Sequence, residues 1–126
     1  MRKIILAFTL ALSLGACANL QGIYTLATTA TVPASDVIIA ANSFNAVKAT
    51  ATNYGRYCIA QQFPQPICSA ANRRAVIKAV RSGTAARNAL EGSMNSGQPA
   101  IATVYNTLIS AVNALNASPI NTVNGP

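Results

Sequence analysis

The stretch SDVIIAANSFNAVKATATNYGRYC, residues 35–58, decides how this chain folds. Within it Val37, Ala40, Phe44, Val47, Ala51, Tyr54 and Cys58 recur at alternating intervals of three and four. In a helix of 3.6 residues per turn, positions spaced in this way fall on one face, the a/d seam of a bundle. These residue types suit a packed core better than a cofactor-binding face. Ser35 followed by Asp36 predicts an N-cap and a negative charge in the first turn, where the helix dipole favours it. Gly55 weakens the last turn.

The stripe ends at Cys58, and Gln61, Gln62, Pro64, Gln65 and Pro66 predict a turn before Cys68. A second helix is expected from Ser69 or Ala70 to about Met94, with Val76, Val80, Gly83, Leu90 and Met94 facing the core and Ile77 at its edge. Arg87 interrupts that face, to be accommodated by snorkelling or by pairing with Asp36 or Glu91. Gly83 and Ala86 leave room for a neighbouring helix. Asn95-Ser96-Gly97-Gln98-Pro99 ends this helix, and Pro99 is expected in the first turn of a third. Ile101, Val104 or Tyr105, Leu108, Val112 and Leu115 carry the third core stripe, which stops before Ser118-Pro119. Residues 120–126 lack periodicity and read as a mobile tail. Short links favour an all-α, up-down-up three-helix bundle over residues 35–117, followed by a flexible tail, 118–126. A longer helical hairpin that pairs between chains as a coiled coil also fits the regular first stripe.

Before the bundle, Met1, Arg2 and Lys3 form a basic segment, residues 4–14 are an apolar run, and Gly15 and Ala16 precede Cys17. This is the pattern of a secretory signal peptide. Its apolar core is too short for a transmembrane helix, which needs ~20 apolar residues. The order Leu14-Gly15-Ala16-Cys17 resembles the lipobox of bacterial lipoproteins. That resemblance implies removal of residues 1–16 by signal peptidase II, a diacylglyceryl group on the Cys17 sulfur, and acylation of the new amine. Residues 17–34 then become an acylated N-terminus and tether. Ala18 stands where the inner-membrane retention pattern has Asp, so the resemblance places the chain in the cell envelope, on the outer membrane and facing the periplasm. An ordinary secreted protein is the alternative, since Gly-Ala-Cys-Ala also meets the small-residue rule of signal peptidase I.

With Cys17 assigned to lipid, Cys58 and Cys68 remain as an even pair in an oxidising compartment, and a disulfide is the natural reading. Closing so short a loop stabilises by ~2.5 to 3 kcal/mol through the lost entropy of the unfolded chain. Two buried free thiols are the bland alternative. A redox pair would favour Cys-x-x-Cys spacing, and two cysteines without His supply too few zinc ligands.

Composition narrows the chemistry. The 126 residues include nine Lys or Arg against two Asp or Glu and no His, and only 9% are charged although 52% are hydrophobic. The absence of His removes the usual general base near neutral pH and the imidazole metal ligand. Asp36 and Glu91 are the one carboxylate pair on offer for glycosidase-like chemistry, and capping or pairing with Arg87 explains them as well. Lys78 could serve a Ser or Thr nucleophile only in principle. No catalytic residues, metal or cofactor are therefore expected beyond the covalent lipid, and the chain reads as non-enzymatic.

Arg73, Arg74, Lys78 and Arg81 lie within about 140° of helical arc and form the concentrated charge feature. Loss of Arg2 and Lys3 with the signal segment leaves seven basic and two acidic residues. Export disfavours nucleic acid as a partner, leaving anionic lipid, lipopolysaccharide, cell-wall polymer or an envelope protein. A solvated face that keeps the chain soluble is the competing reading. Residues 36–58 also loosely resemble small exported proteins of alphaproteobacteria and their prophages, a group with no known activity. Two function classes remain: a structural or interaction lipoprotein of the envelope, or a prophage-encoded lysis (spanin-like) or surface-exclusion lipoprotein.

Overall fold

The computed structural model describes residues 30–61 and 65–123. The expected signal segment, Cys17, most of the tether, part of the turn at 62–64 and the last three residues lie outside the described residues. From Thr31 onward the chain is an all-α bundle with a minimal sheet at one end. The elements are β1 (Thr31–Val32), α1 (Ala34–Ala60), α2 (Ala70–Asn95), β2 (Ala100–Ile101) and α3 (Ala102–Asn116), with 3₁₀ turns at Pro66–Cys68 and Pro119–Val123. The helices run up, down, up, and each packs on the other two.

Helix α1 uses the predicted stripe. Val37, Ala40, Phe44, Ala51 and Tyr54 are buried, and Val47 and Cys58 are half-buried against the same core. Its start differs from expectation. Pro33, not Ser35, is the N-cap residue, and it offers no side-chain bond. Its carbonyl accepts from the Asp36 and Val37 amides at 3.1 and 3.3 Å, while Ser35 lies inside the first turn and its hydroxyl reaches the Asp36 carboxylate at 3.4 Å. The fixed φ of proline favours this start at no cost in hydrogen bonds, since Pro has no N–H to satisfy.

The core face of α2 is set by its smallest residues. Val76, Ala79, Gly83, Ala86 and Leu90 are buried, whereas Val80 and Met94, expected in the core, pack only at its edge. Gly83 explains the shift. A Cβ at this position would overlap the Phe44 ring, 2.7 Å from its Cζ, and would lie 2.9 Å from Ala111 Cβ. All three helices converge there, and the α2 backbone itself forms one wall of the Phe44 pocket. Helix α2 is closed off by Gly97, two residues past its last, whose φ of 69° is left-handed. The Gly97 amide donates to the Met94 carbonyl and the Gln98 amide to the Ser93 carbonyl, at 3.2 and 2.8 Å. These are the two bonds of a Schellman cap.

Three short segments, below any helical period, differ from expectation: Thr31–Val32, Ala100–Ile101 and Pro119–Val123. Pro99 is not in the first turn of α3. It precedes two extended residues, Ala100 and Ile101, which pair antiparallel with Val32 and Thr31, and α3 begins at Ala102. The pairing turns Ala100 into the core and leaves Ile101 outside. The end of the tether is thereby part of the fold. On α3 the buried residues are Leu108, Ala111 and Leu115, with Val112 at the margin. Finally, the expected tail is structured over Pro119–Val123. This 3₁₀ turn packs on α1 with Ile120 fully buried. With 15 residues, α3 is ~22 Å long against ~40 Å for the 27 of α1, so apolar surface on α1 remains for Ile120 to cover.

Cys58 and Cys68 form a disulfide with a Cα–Cα distance of 5.4 Å. It joins the last turn of α1 to the end of the Pro66–Cys68 turn, where the stripe placed Cys58.

Candidate anion-binding face and apolar groove

The first turn of α2 orients the cationic cluster. Ser69 caps the helix, its hydroxyl accepting from the Asn72 amide at 3.2 Å. Asn72 also ties the helix to the preceding turn. Its side-chain amide donates to the Ile67 carbonyl at 3.1 Å, and the Tyr54 hydroxyl donates to the same carbonyl at 2.5 Å. One carbonyl thus receives a bond from α1 and another from α2, beside the disulfide. Arg73, Arg74, Lys78 and Arg81 then project from the next two and a half turns, all exposed.

No acid neutralises this face among the described residues. Asp36 stands at the opposite end of the bundle, at the start of α1. Glu91 is held by Arg87 at 2.7 Å, one turn apart on α2. Of the two acids, Arg87 therefore pairs with Glu91, and its Nε is buried without a hydrogen-bond partner. Asp36 meets the Ser35 hydroxyl and Glu91 the Arg87 guanidinium, the ordinary partners that capping and pairing offered for these two acids.

Beside the cationic face runs a groove between α1 and α2, of about 410 Å³. Ala51, Tyr54, Val76 and Val80 form its floor, Gly55 opens one wall, and Ile59 and Ile77 stand at its rims with Arg73 and Arg81. Ile59 is 83% exposed and Ile77 50%. Ile77 and Arg81 also border an adjoining hollow, completed by Arg74, Lys78 and Ser82. An apolar slot and a cationic cradle therefore share two residues. A second groove, between α2 and α3, is lined by Ala, Ser, Thr and Asn together with Lys78, and offers little chemistry.

No protein-family model, curated protein or solved structure matches this chain. Among the described residues no three metal-ligating side chains cluster, and no helix is long and apolar enough to cross a membrane. The cationic face stands where the spacing of its four residues placed it. The groove is absent from the sequence pattern, because its floor comes from two helices; the signals for it are Gly55 and Ile59, which interrupt and flank the first stripe.

Burial raises the Tyr54 hydroxyl above its ordinary pKa of 10.0, and the Arg73 guanidinium opposes that rise. The folded state thus favours the protonated phenol, which donates to Ile67. Its contribution is complete below pH ~10, the unfolded value, and is lost as pH climbs through the higher folded value. Tyr54→Phe is expected to cost about 1 kcal/mol at pH 7, because Asn72 keeps the Ile67 carbonyl satisfied. In urea unfolding, the variant should lose less stability than the parent between pH 9 and pH 11; parallel curves would remove Tyr54 from the alkaline response.

Proposed function

We propose that this chain is a non-enzymatic, lipid-anchored protein of the bacterial cell envelope whose α2 face contacts an anionic partner. The observation that carries the reading is the uncompensated row Arg73, Arg74, Lys78 and Arg81, exposed along one helix with both described acids engaged elsewhere. The Cys58–Cys68 bond supports export, since structural disulfides persist in oxidising compartments. The lipobox-like Leu14-Gly15-Ala16-Cys17 supplies the anchor, and Cys17 its attachment point. Two or three acyl chains, each buried methylene contributing ~0.8 kcal/mol, hold a protein at a bilayer where one chain would not.

Near an anionic membrane each cation contributes ~1 kcal/mol, and the attraction decays within a Debye length of about 8 Å at physiological salt. The variant with Arg73, Arg74, Lys78 and Arg81 all replaced by Gln should therefore bind phosphatidylglycerol vesicles more weakly, by roughly two to three orders of magnitude at low salt. The difference should shrink as salt is raised. Equal vesicle binding by the two proteins would overturn the cationic-face reading. For the anchor, intact mass spectrometry of the membrane fraction should find a chain beginning at Cys17 with acyl mass, abolished by a signal peptidase II inhibitor. A soluble chain without lipid would overturn that part.

A further inference from the structure

We propose that the groove between α1 and α2 takes the acyl chain of an anionic phosphate lipid, with the phosphate held by Arg74, Lys78 and Arg81. The inference rests on the envelope reading above and names the ligand class of the same face. Its basis is adjacency and charge. The apolar slot floored by Tyr54 and Val76 and the cationic hollow lie on either side of the Ile77 and Arg81 side chains, so a molecule that reaches both across this shared border must carry an apolar chain and an anion in one piece.

Charge and size exclude the other occupants. A second copy of the chain would bring the same four cations to this face, and its described acids are Asp36 and Glu91, the latter already bound to Arg87. A peptide helix is about 10–12 Å across, too wide to lie between α1 and α2, so it would rest on Ile59 and Ile77 rather than enter. A single acyl chain is slim enough to lie between the helices on the Ala51 and Val76 side chains. Burial there removes the chain and both rim isoleucines from water, which is the driving force for retention. The cations supply orientation and selection of the head group, since phosphate recognition by guanidinium is charge-assisted and directional.

Gly55 provides the decisive variant. A Cβ built there meets no atom within 4 Å, so the position itself accepts a side chain without a clash at its root. Gly55→Leu fills the slot without pressing on the core and improves helix propensity, so its unfolding temperature should equal or exceed the parent's. The probes are lysophosphatidylglycerol below its micelle concentration, lysophosphatidylcholine and glycerol phosphate, titrated calorimetrically into the purified chain. Lysophosphatidylglycerol should bind at least about tenfold tighter than either control. Gly55→Leu should weaken it at least about tenfold, and Arg74→Gln/Lys78→Gln/Arg81→Gln should abolish the preference over lysophosphatidylcholine. Unchanged lysolipid binding by folded Gly55→Leu, or glycerol phosphate binding as well as the lysolipid, overturns the groove. The outcomes separate the two readings. If the four-Gln variant loses vesicle binding while Gly55→Leu retains the lysolipid, the cationic face stands and the slot falls. If vesicle binding survives the four substitutions while Gly55→Leu loses the lysolipid, the slot stands and the electrostatic reading falls.

Discussion

Phe44→Ala lowers stability by about 3 to 5 kcal/mol, a large part of the 5 to 15 kcal/mol expected for a domain of this size. The ring is fully buried at the point where the three helices meet, and its removal leaves a cavity walled by backbone that cannot collapse freely. Gly83, facing the ring, is coupled to it. Gly83→Ala in the parent drives a Cβ into the ring, a clash that overpacking costs of about 1 to 3 kcal/mol describe and that the gain in helix propensity, ~1 kcal/mol, does not offset. With the ring gone, the remaining close approach is Ala111 Cβ at 2.9 Å, and the added methyl fills part of the cavity. Gly83→Ala should then cost less in the Phe44→Ala background than in the parent, with the Ala111 contact as what remains. Denaturant unfolding of the four proteins in a double-mutant cycle measures the coupling, expected at roughly 1 to 3 kcal/mol. Additivity within about 0.5 kcal/mol would mean that the two residues do not share the site.

The contrast between Phe44 and Gly83 also explains which parts of the fold are legible in the sequence. On α1 the bulky Val37, Phe44, Val47 and Tyr54 bracket Ala40 and Ala51 at the same alternating spacing, so spacing alone places Val37 to Cys58 on the core face. On α2 the inward row is Ala79, Gly83 and Ala86, residues of weak hydrophobic signal, and the larger Val80 and Met94 beside them draw the expected face about one row aside. Helix α2 packs closely because it is small on that side, and a hydrophobic pattern records bulk, not closeness. Pairing of Val32 with Ala100 involves strands of two residues, below any period, and Ile120 is a single apolar anchor in a polar segment. The cationic face is legible because four charges within nine residues define an arc of one helix. The groove beside it is not, since its width depends on how far α1 stands from α2. Likewise the convergence of Tyr54 and Asn72 on the Ile67 carbonyl, 13 and 5 residues away in sequence, requires the turn already formed.

Replacing both Cys58 and Cys68 by Ser should cost about 2.5 to 3 kcal/mol and lower the unfolding temperature by roughly 10 to 20 °C. The loop closed by the bond has a sequence separation of 10, and its Cα–Cα distance of 5.4 Å is an ordinary one. In the native state the turn has independent supports: Tyr54 and Asn72 on Ile67, Ser69 as the cap of α2, and the Cys68 amide on the Gln65 carbonyl at 2.8 Å. The fold should therefore survive the double substitution, with the cost falling mainly on the unfolded state, where the released loop regains its freedom. That assignment has its own signature. The denaturant midpoint falls and the m-value rises, because a chain without the cross-link exposes more surface when unfolded. A midpoint shift with an unchanged m-value would locate the effect in the folded turn instead. Adding Tyr54→Phe to the chain without the disulfide tests the division further, since a turn held only by hydrogen bonds should lose more on that substitution than one also held by sulfur. An excess of less than about 0.5 kcal/mol would show that the bond and the Ile67 clamp act independently.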